Sequence, residues 1–166
     1  MNEGNATIEW GEERLLLMRQ RAVWWERGET LLIADPHFGK AATFRFAGIP
    51  VPENPHDEDL VRLSEILMQT KARRLVILGD FFHAKSGRSE ATMSALSDWR
   101  KRHRNLEVVL VLGNHDRHAG LPPVEWAFEC SDKPWQMRPF VCRHEPVLDR
   151  DRFVFAGHLH PGFHFV

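Results

Sequence analysis

An α/β fold built on a mixed sheet is predicted by three features of this sequence. Leu31-Leu32-Ile33-Ala34, Leu75-Val76-Ile77-Leu78 and Leu106 to Leu112 are nearly continuous apolar runs, the pattern of strands buried on both faces. Segments of helical periodicity separate them, as in layered α/β domains. The last third carries shorter apolar runs and more loop, so the sheet is expected to be mixed. At 166 residues the chain has the length of one domain, and residues 1–166 are read as one.

The elements follow in order. Arg14 to Met18 and Ala22 to Trp25 read as short strands about a turn at Arg19-Gln20-Arg21. The strand Leu31 to Ala34 ends at Asp35-Pro36-His37-Phe38-Gly39-Lys40. Gly48 to Pro55 is loop, because Pro50, Pro52 and Pro55 withhold backbone donors. A helix is expected to start near Asp57, with Glu58 and Asp59 at its positive end and Lys71, Arg73 and Arg74 at its negative end. Leu60, Leu63, Leu67 and Thr70, with Ile66 beside them, give it one buried face. The strand Leu75 to Leu78 ends at Gly79-Asp80, and a second helix from Ser89 to Arg104 turns Met93, Leu96 and Trp99 inward. The third strand, Leu106 to Leu112, ends at Gly113-Asn114-His115-Asp116. Phe140 to Arg143 and Phe153 to Ala156 are two more strands, ending at His144 and at Gly157-His158-Leu159-His160.

Composition excludes several classes of function. Lys and Arg number 22 against 23 Asp and Glu, for a net charge of −1, which argues against coating nucleic acid by bulk charge and against a polybasic membrane binder. Apolar residues at 43% and charged residues at 27% describe a globular, soluble chain. The polar, acidic N-terminus lacks the pattern of a signal peptide, and no apolar run approaches the ~20 residues of a membrane helix. Cys130 and Cys142 stand apart and read as reduced packing residues of a cytoplasmic protein. The run Arg100-Lys101-Arg102-His103-Arg104 reads as a solvated helix end. Trp24, Trp25, Phe44 and Phe46 read as packing rather than as base-stacking faces.

Histidine is the informative residue: the chain has ten, beside no Tyr. Five strand ends carry metal-capable side chains, namely Asp35 with His37, Asp80 with His83, Asn114 with His115, His144, and His158 with His160. In open α/β sheets ligands bind outside the carboxyl ends of the strands, so these groups should meet around one crevice. Carboxylate and imidazole suit divalent transition ions, a carboxylate can bridge two, and Asn114 adds a neutral oxygen. Asp35 and His37 are two apart, as are His158 and His160, so in extended chain each pair faces one side. Glycine before Asn114 and before His158 permits a tight turn close to an ion. Any one of these pieces alone is a common turn or a surface histidine, whereas all of them directly after apolar strands form a metal site.

The ordered set D-P-H, G-D-F-F-H, G-N-H-D, H and G-H-L-H, from Asp35 to His160, resembles the calcineurin-like metallophosphoesterase family. The resemblance implies a two-layered mixed β-sandwich flanked by helices with two divalent metal ions at its edge, Mn2+ in the first place and Fe, Zn or Mg as alternatives. It implies that Asp35, His37, Asp80 and His160 hold one ion and that Asp80, Asn114, His144 and His158 hold the other, with Asp80 bridging. His115 becomes the catalytic histidine and Asp116 the residue that orients it. A pair of ions of this kind holds a bridging hydroxide for in-line attack on phosphorus. His115 then protonates or stabilises the leaving oxygen.

A narrower resemblance, to the bacterial ligase-associated DNA damage response endonuclease branch, rests on Leu31 to Ala42, Phe44-Arg45, Gly48 to Pro52, Gly113 to Arg117 and His144-Glu145-Pro146. It implies an endonuclease acting on DNA, in single-stranded form, during DNA repair, in company with a DNA ligase and a helicase. The G-D-F-F-H motif is also similar to that of Mre11-type nucleases, which implies that its last residue, His83, helps shape the substrate site; Arg117, Lys40 and Arg45 lie near the motifs, where they could meet backbone phosphates. Relatives continue with strands that close the second sheet, so this chain is expected to lack them and to have an open edge. Two other readings stay open. One is a phosphatase or phosphodiesterase for a small molecule such as a cyclic nucleotide or nucleotide-sugar; the other is a non-catalytic metal-binding scaffold.

Overall fold

A computed structural model describes residues 4–51 and 55–159, the side chains of 55–57 excepted. Seven strands form the larger sheet, in the order β1 (Ala6–Trp10), β2 (Glu13–Met18), β3 (Ala22–Trp25), β4 (Thr30–Ile33), β5 (Arg74–Ile77), β6 (Glu107–Val111) and β7 (Glu129–Ser131). The first four run antiparallel to their neighbours, and β4 to β7 are parallel. Three strands form the second sheet: β8 (Trp135–Met137), the central β9 (Phe140–Arg143) and β10 (Phe153–Ala156). Within it, β9 is parallel to β10 and antiparallel to β8. The helices are α1 (Lys40–Phe46), α2 (Pro55–Thr70), α3 (Glu90–Arg102) and α4 (Asn114–Ala119).

The continuous apolar runs have a direct cause. Leu31, Leu75, Ile77, Val108 and Leu110 face the helices, where they join Leu60, Leu63, Ile66, Leu67, Leu96 and Trp99 in one core. The alternate residues Leu32, Val76, Val109 and Val111 face the second sheet, with Met137, Phe140, Cys142 and Phe155, in another. Beyond their first residues, Thr30, Arg74 and Glu107, strands β4, β5 and β6 are therefore covered on both faces and apolar throughout. The result is the expected sandwich of two mixed sheets with helices outside.

Several local expectations change. Helix α2 begins at Pro55, two residues before the expected Asp57; proline is at home in the first turn, whose N–H groups have no partner within the helix. Helix α3 opens at an N-cap Ser89, whose hydroxyl accepts from Thr92 N–H, and ends at Arg102. The basic run at that end is not all solvated, because Arg100, in the last turn of α3, donates from Nε to the Trp126 carbonyl at 2.7 Å. Trp25 is core, as expected, whereas Phe46 is 82% exposed. Cys142 is buried and its thiol is pushed up to about 12 by burial, which keeps it inert. Cys130, expected as a packing residue, is by contrast exposed on β7. None of the described helices is long and apolar enough to cross a membrane.

Candidate metal centre

Every one of the five expected strand ends arrives at the same edge. Asp35 follows β4, Asp80 follows β5, Asn114 follows β6, His144 follows β9 and His158 follows β10. The turns that deliver them are not extended. Asp35, His37, Asp80 and His158 all take positive φ, at 47°, 47°, 52° and 66°. Left-handed backbone at non-glycine residues is uncommon and concentrates where a site demands it. Asp35 and His37 thus meet the crevice through two left-handed turns rather than through the two-residue period of a strand.

The first two loops are sewn together by backbone. His37 N–H donates to the Asp80 carbonyl at 3.0 Å, Phe38 N–H to that of Phe81 at 2.8 Å, and His83 N–H to that of Phe38 at 3.0 Å. This ladder brings the rings of His37, His83 and His115 together, their centroids 4.9–5.5 Å apart. Burial, with His115 and Lys40 adding to it and Asp80 opposing, holds the His83 imidazole below its usual pKa.

Four donor atoms converge beside this cluster. His144 Nε2 lies 3.0 Å from Asn114 Oδ1, 3.1 Å from His158 Nδ1 and 3.6 Å from Asp80 Oδ1, and His158 Nδ1 lies 3.1 Å from Asn114 Oδ1. His144 Nδ1 sits 2.9 Å from the Leu78 carbonyl, so that nitrogen carries the proton and Nε2 presents a lone pair. Lone pairs from carboxylate, amide and imidazole then crowd one point, an arrangement that repels itself unless a cation joins them. Neighbouring ligands on bonds of about 2.1 Å stand roughly 3.0–3.4 Å apart; the spacings among His144, Asn114 and His158 match this, and Asp80 Oδ1 stands slightly farther, at 3.6 Å. Imidazole steered by a carbonyl on its far nitrogen is also the usual support for a metal ligand.

Asp80, only 3% exposed, faces two ways. Its Oδ1 looks to His144 and accepts His115 N–H at 2.9 Å. Its Oδ2 lies 3.8 Å from His37 Nε2 and 4.0 Å from His115 Nε2. Asp35 stands on the far side, with Oδ1 3.6 Å from His144 Nδ1 and Oδ2 accepting His158 N–H at 2.9 Å. Ligand atoms of Asp35, Asp80 and His144 all lie within 4.8 Å of one another. Candidate ligand atoms thus lie on both sides of Asp80, a donor set that suits divalent cations; His160, expected among the ligands, lies outside the described residues.

Asp116 does not orient His115. It is 1% exposed, and its carboxylate accepts the N–H groups of Gly113, Asp80 and Phe81 at 2.8–2.9 Å. The two residues are adjacent on α4, and neighbours in a helix point to different faces. His115 Nδ1 is held instead by the His83 carbonyl at 2.7 Å, a backbone contact with no sequence signature. Burial pushes the Asp116 carboxyl up, its three backbone donors opposing and Asp80 adding to the rise. Asp116 fastens the ends of β5 and β6, and charge-assisted bonds of this kind contribute about 1.5–3 kcal/mol each. Asp116→Ala is expected to lower unfolding free energy by about 3–5 kcal/mol in urea titration; a loss under about 1 kcal/mol contradicts this role.

The motif glycines answer to space as well as to turn geometry. Gly79 has φ +88°, and a Cβ there would stand 2.1 Å from His144 Nδ1. Gly113 has ordinary extended backbone, with φ −95° and ψ 179°, but its Cβ would stand 2.2 Å from Asp80 Oδ1. Gly113→Ala must therefore displace the central carboxylate. Elemental analysis is expected to find less than half the wild-type metal, and full metal content contradicts the packing argument.

The remaining expected contacts surround the centre. Lys40 is exposed on α1, with Nζ 5.9 Å from the Phe44 ring, which is itself 5.9 Å from His83. Arg45 is half-buried on the same helix, while exposed Arg117 on α4 lines a cleft that also reaches Asn114 and His144. Two residues of that cleft, Lys133 and Arg143, carry no motif and escaped sequence reasoning.

The family model described as calcineurin-like phosphoesterase matches residues 29–161. The crystal structure of Pseudomonas putida nuclease MPE is similar, with 41% sequence identity and a TM-score of 0.83 over 95% of this chain and 74% of that one. No curated protein matches the chain.

Proposed function

Because the chain belongs to the calcineurin-like phosphoesterase family, and is thus a metal-dependent phosphoesterase, we propose that it is a DNA endonuclease that cuts single strands during repair. The observation that carries this reading is the convergence of Asp80 Oδ1, Asn114 Oδ1, His144 Nε2 and His158 Nδ1 beside a carboxylate with two outward oxygens. The similarity to a nuclease supports nucleic acid as substrate, and the narrower resemblance of the motif loops supports a place beside a DNA ligase and a helicase.

Asp80, Asn114, His144 and His158 would hold one divalent cation, and Asp35, His37, Asp80 and His160 the other, with Mn2+ the proposed metal. When bound, such a pair lowers the pKa of water from about 15.7 toward 7 and offsets charge on the phosphoryl oxygens. Leu78 keeps the proton on His144 Nδ1, so its Nε2 stays available as a ligand. His115 donates from Nδ1 to the His83 carbonyl, which fixes its ring and leaves Nε2 turned toward the Asp80 side. A proton held at that Nε2 can pass to the departing oxygen. Lys40, Arg45, Arg117 and His83 meet the strand around the reacting phosphate.

With Mn2+ the chain is expected to linearise closed circular single-stranded DNA, to stop in EDTA and to recover when Mn2+ is restored. Hydrolysis of an aryl phosphodiester with intact circles would move the substrate to the small-molecule class.

A further inference from the structure

We propose that a second phosphate subsite, built from Arg117, Lys133 and Arg143, holds the phosphate next to the one being cut. It rests on the DNA reading above. The three cations line a cleft of about 230 Å³ whose wall also includes Asn114 and His144, so it opens directly onto the candidate metal centre. Its floor comes from different elements: Arg117 stands on α4, Arg143 ends β9, and Lys133 sits in the turn between β7 and β8.

The cleft carries three cations against two carboxylates. Asp132 and Glu145 line it too, yet no ion pair joins either carboxylate to any of the three cations. Arg143 Nε is buried with no hydrogen-bond partner among the described residues. A buried guanidinium N–H without an acceptor is costly, and a phosphate oxygen is the acceptor its planar fork fits best. A second groove beside the centre is lined by His83, Lys85, Ser86, His115 and His118 and by no carboxylate. Asn114 belongs to both. A strand laid through the two grooves passes the metal centre without needing an end, which suits internal cutting. The adjacent phosphate then falls among the three cations.

The test is a length series read against an aryl phosphodiester. Wild-type protein with Mn2+ is expected to cut a trinucleotide, with two phosphates, at least tenfold more efficiently in kcat/KM than a dinucleotide with one. Lys133→Ala and Arg143→Ala are each expected to remove most of that gain, chiefly through KM. Aryl phosphodiester hydrolysis and metal content should stay within about twofold. Each variant should also flatten the salt dependence of binding to a single-stranded oligonucleotide by about 0.7 in log–log slope, the value for one lost phosphate contact. Absence of a length gain in the wild type, or its survival in both variants, overturns the subsite while leaving the nuclease reading intact. Failure of the wild type to cut any oligonucleotide, with aryl phosphodiester hydrolysis intact, overturns the DNA reading and the subsite with it.

Discussion

Asp80→Asn is expected to reduce phosphodiester hydrolysis by about a thousandfold or more and to strip the protein of most of its metal. The substitution changes almost no volume, so the core should survive. It removes the charge that both sides of the centre use, since Oδ1 faces His144 and Oδ2 faces His37. One amide oxygen can serve one side, but an amide nitrogen cannot accept the second. Elemental analysis beside a thermal melt separates the outcomes. A variant that melts like the wild type while holding little metal supports the bridging role, whereas retained metal and turnover within tenfold contradict it.

The second large effect concerns His115. His115→Ala is expected to lower kcat by about 10²–10⁴, the usual contribution of a positioned acid or base, while metal content stays near the wild-type value. Its ring is 38% exposed at the side chain and is tied by Nδ1 to the His83 carbonyl, so its removal frees one part-buried acceptor and opens no cavity in the core. The loss should shrink when the DNA ester is replaced by an aryl ester with a good leaving group, because a weakly basic oxygen needs no proton. Equal losses on both esters, or departure of the metal, would make His115 a ligand or a structural residue.

What could be read from the amino acids and what could not divides along physical lines. Strands β4, β5 and β6 were legible because both faces are dry, as the alternation of Leu31 with Leu32 between the two cores shows. The metal-capable residues were legible because each directly follows a buried strand. Elements whose stability comes from their neighbours were not. Strand β1 is nearly all exposed and is held by its ladder to β2; β7 and β8 are three residues each. Helix α1 buries only Ala41 and Ala42, and α4 is six mostly polar residues. Neither offers an apolar stripe long enough to recognise. The left-handed turns at Asp35, His37, Asp80 and His158 were hidden as well, since such conformations in non-glycine residues are imposed by the surrounding fold. The role that the family resemblance implies for Asp116 meets a simpler obstacle: a helix turns it away from its neighbour His115, and its carboxylate is taken up by the N–H groups of Gly113, Asp80 and Phe81.

Anomalous diffraction from crystals grown with Mn2+ tests the central claim most directly. Two peaks about 3.5–4 Å apart are expected, one among Asp80, Asn114, His144 and His158 and the other beside Asp35 and His37, with the Asp80 carboxylate between them. A single peak, or manganese bound away from Asp80, would contradict a dinuclear centre at these strand ends.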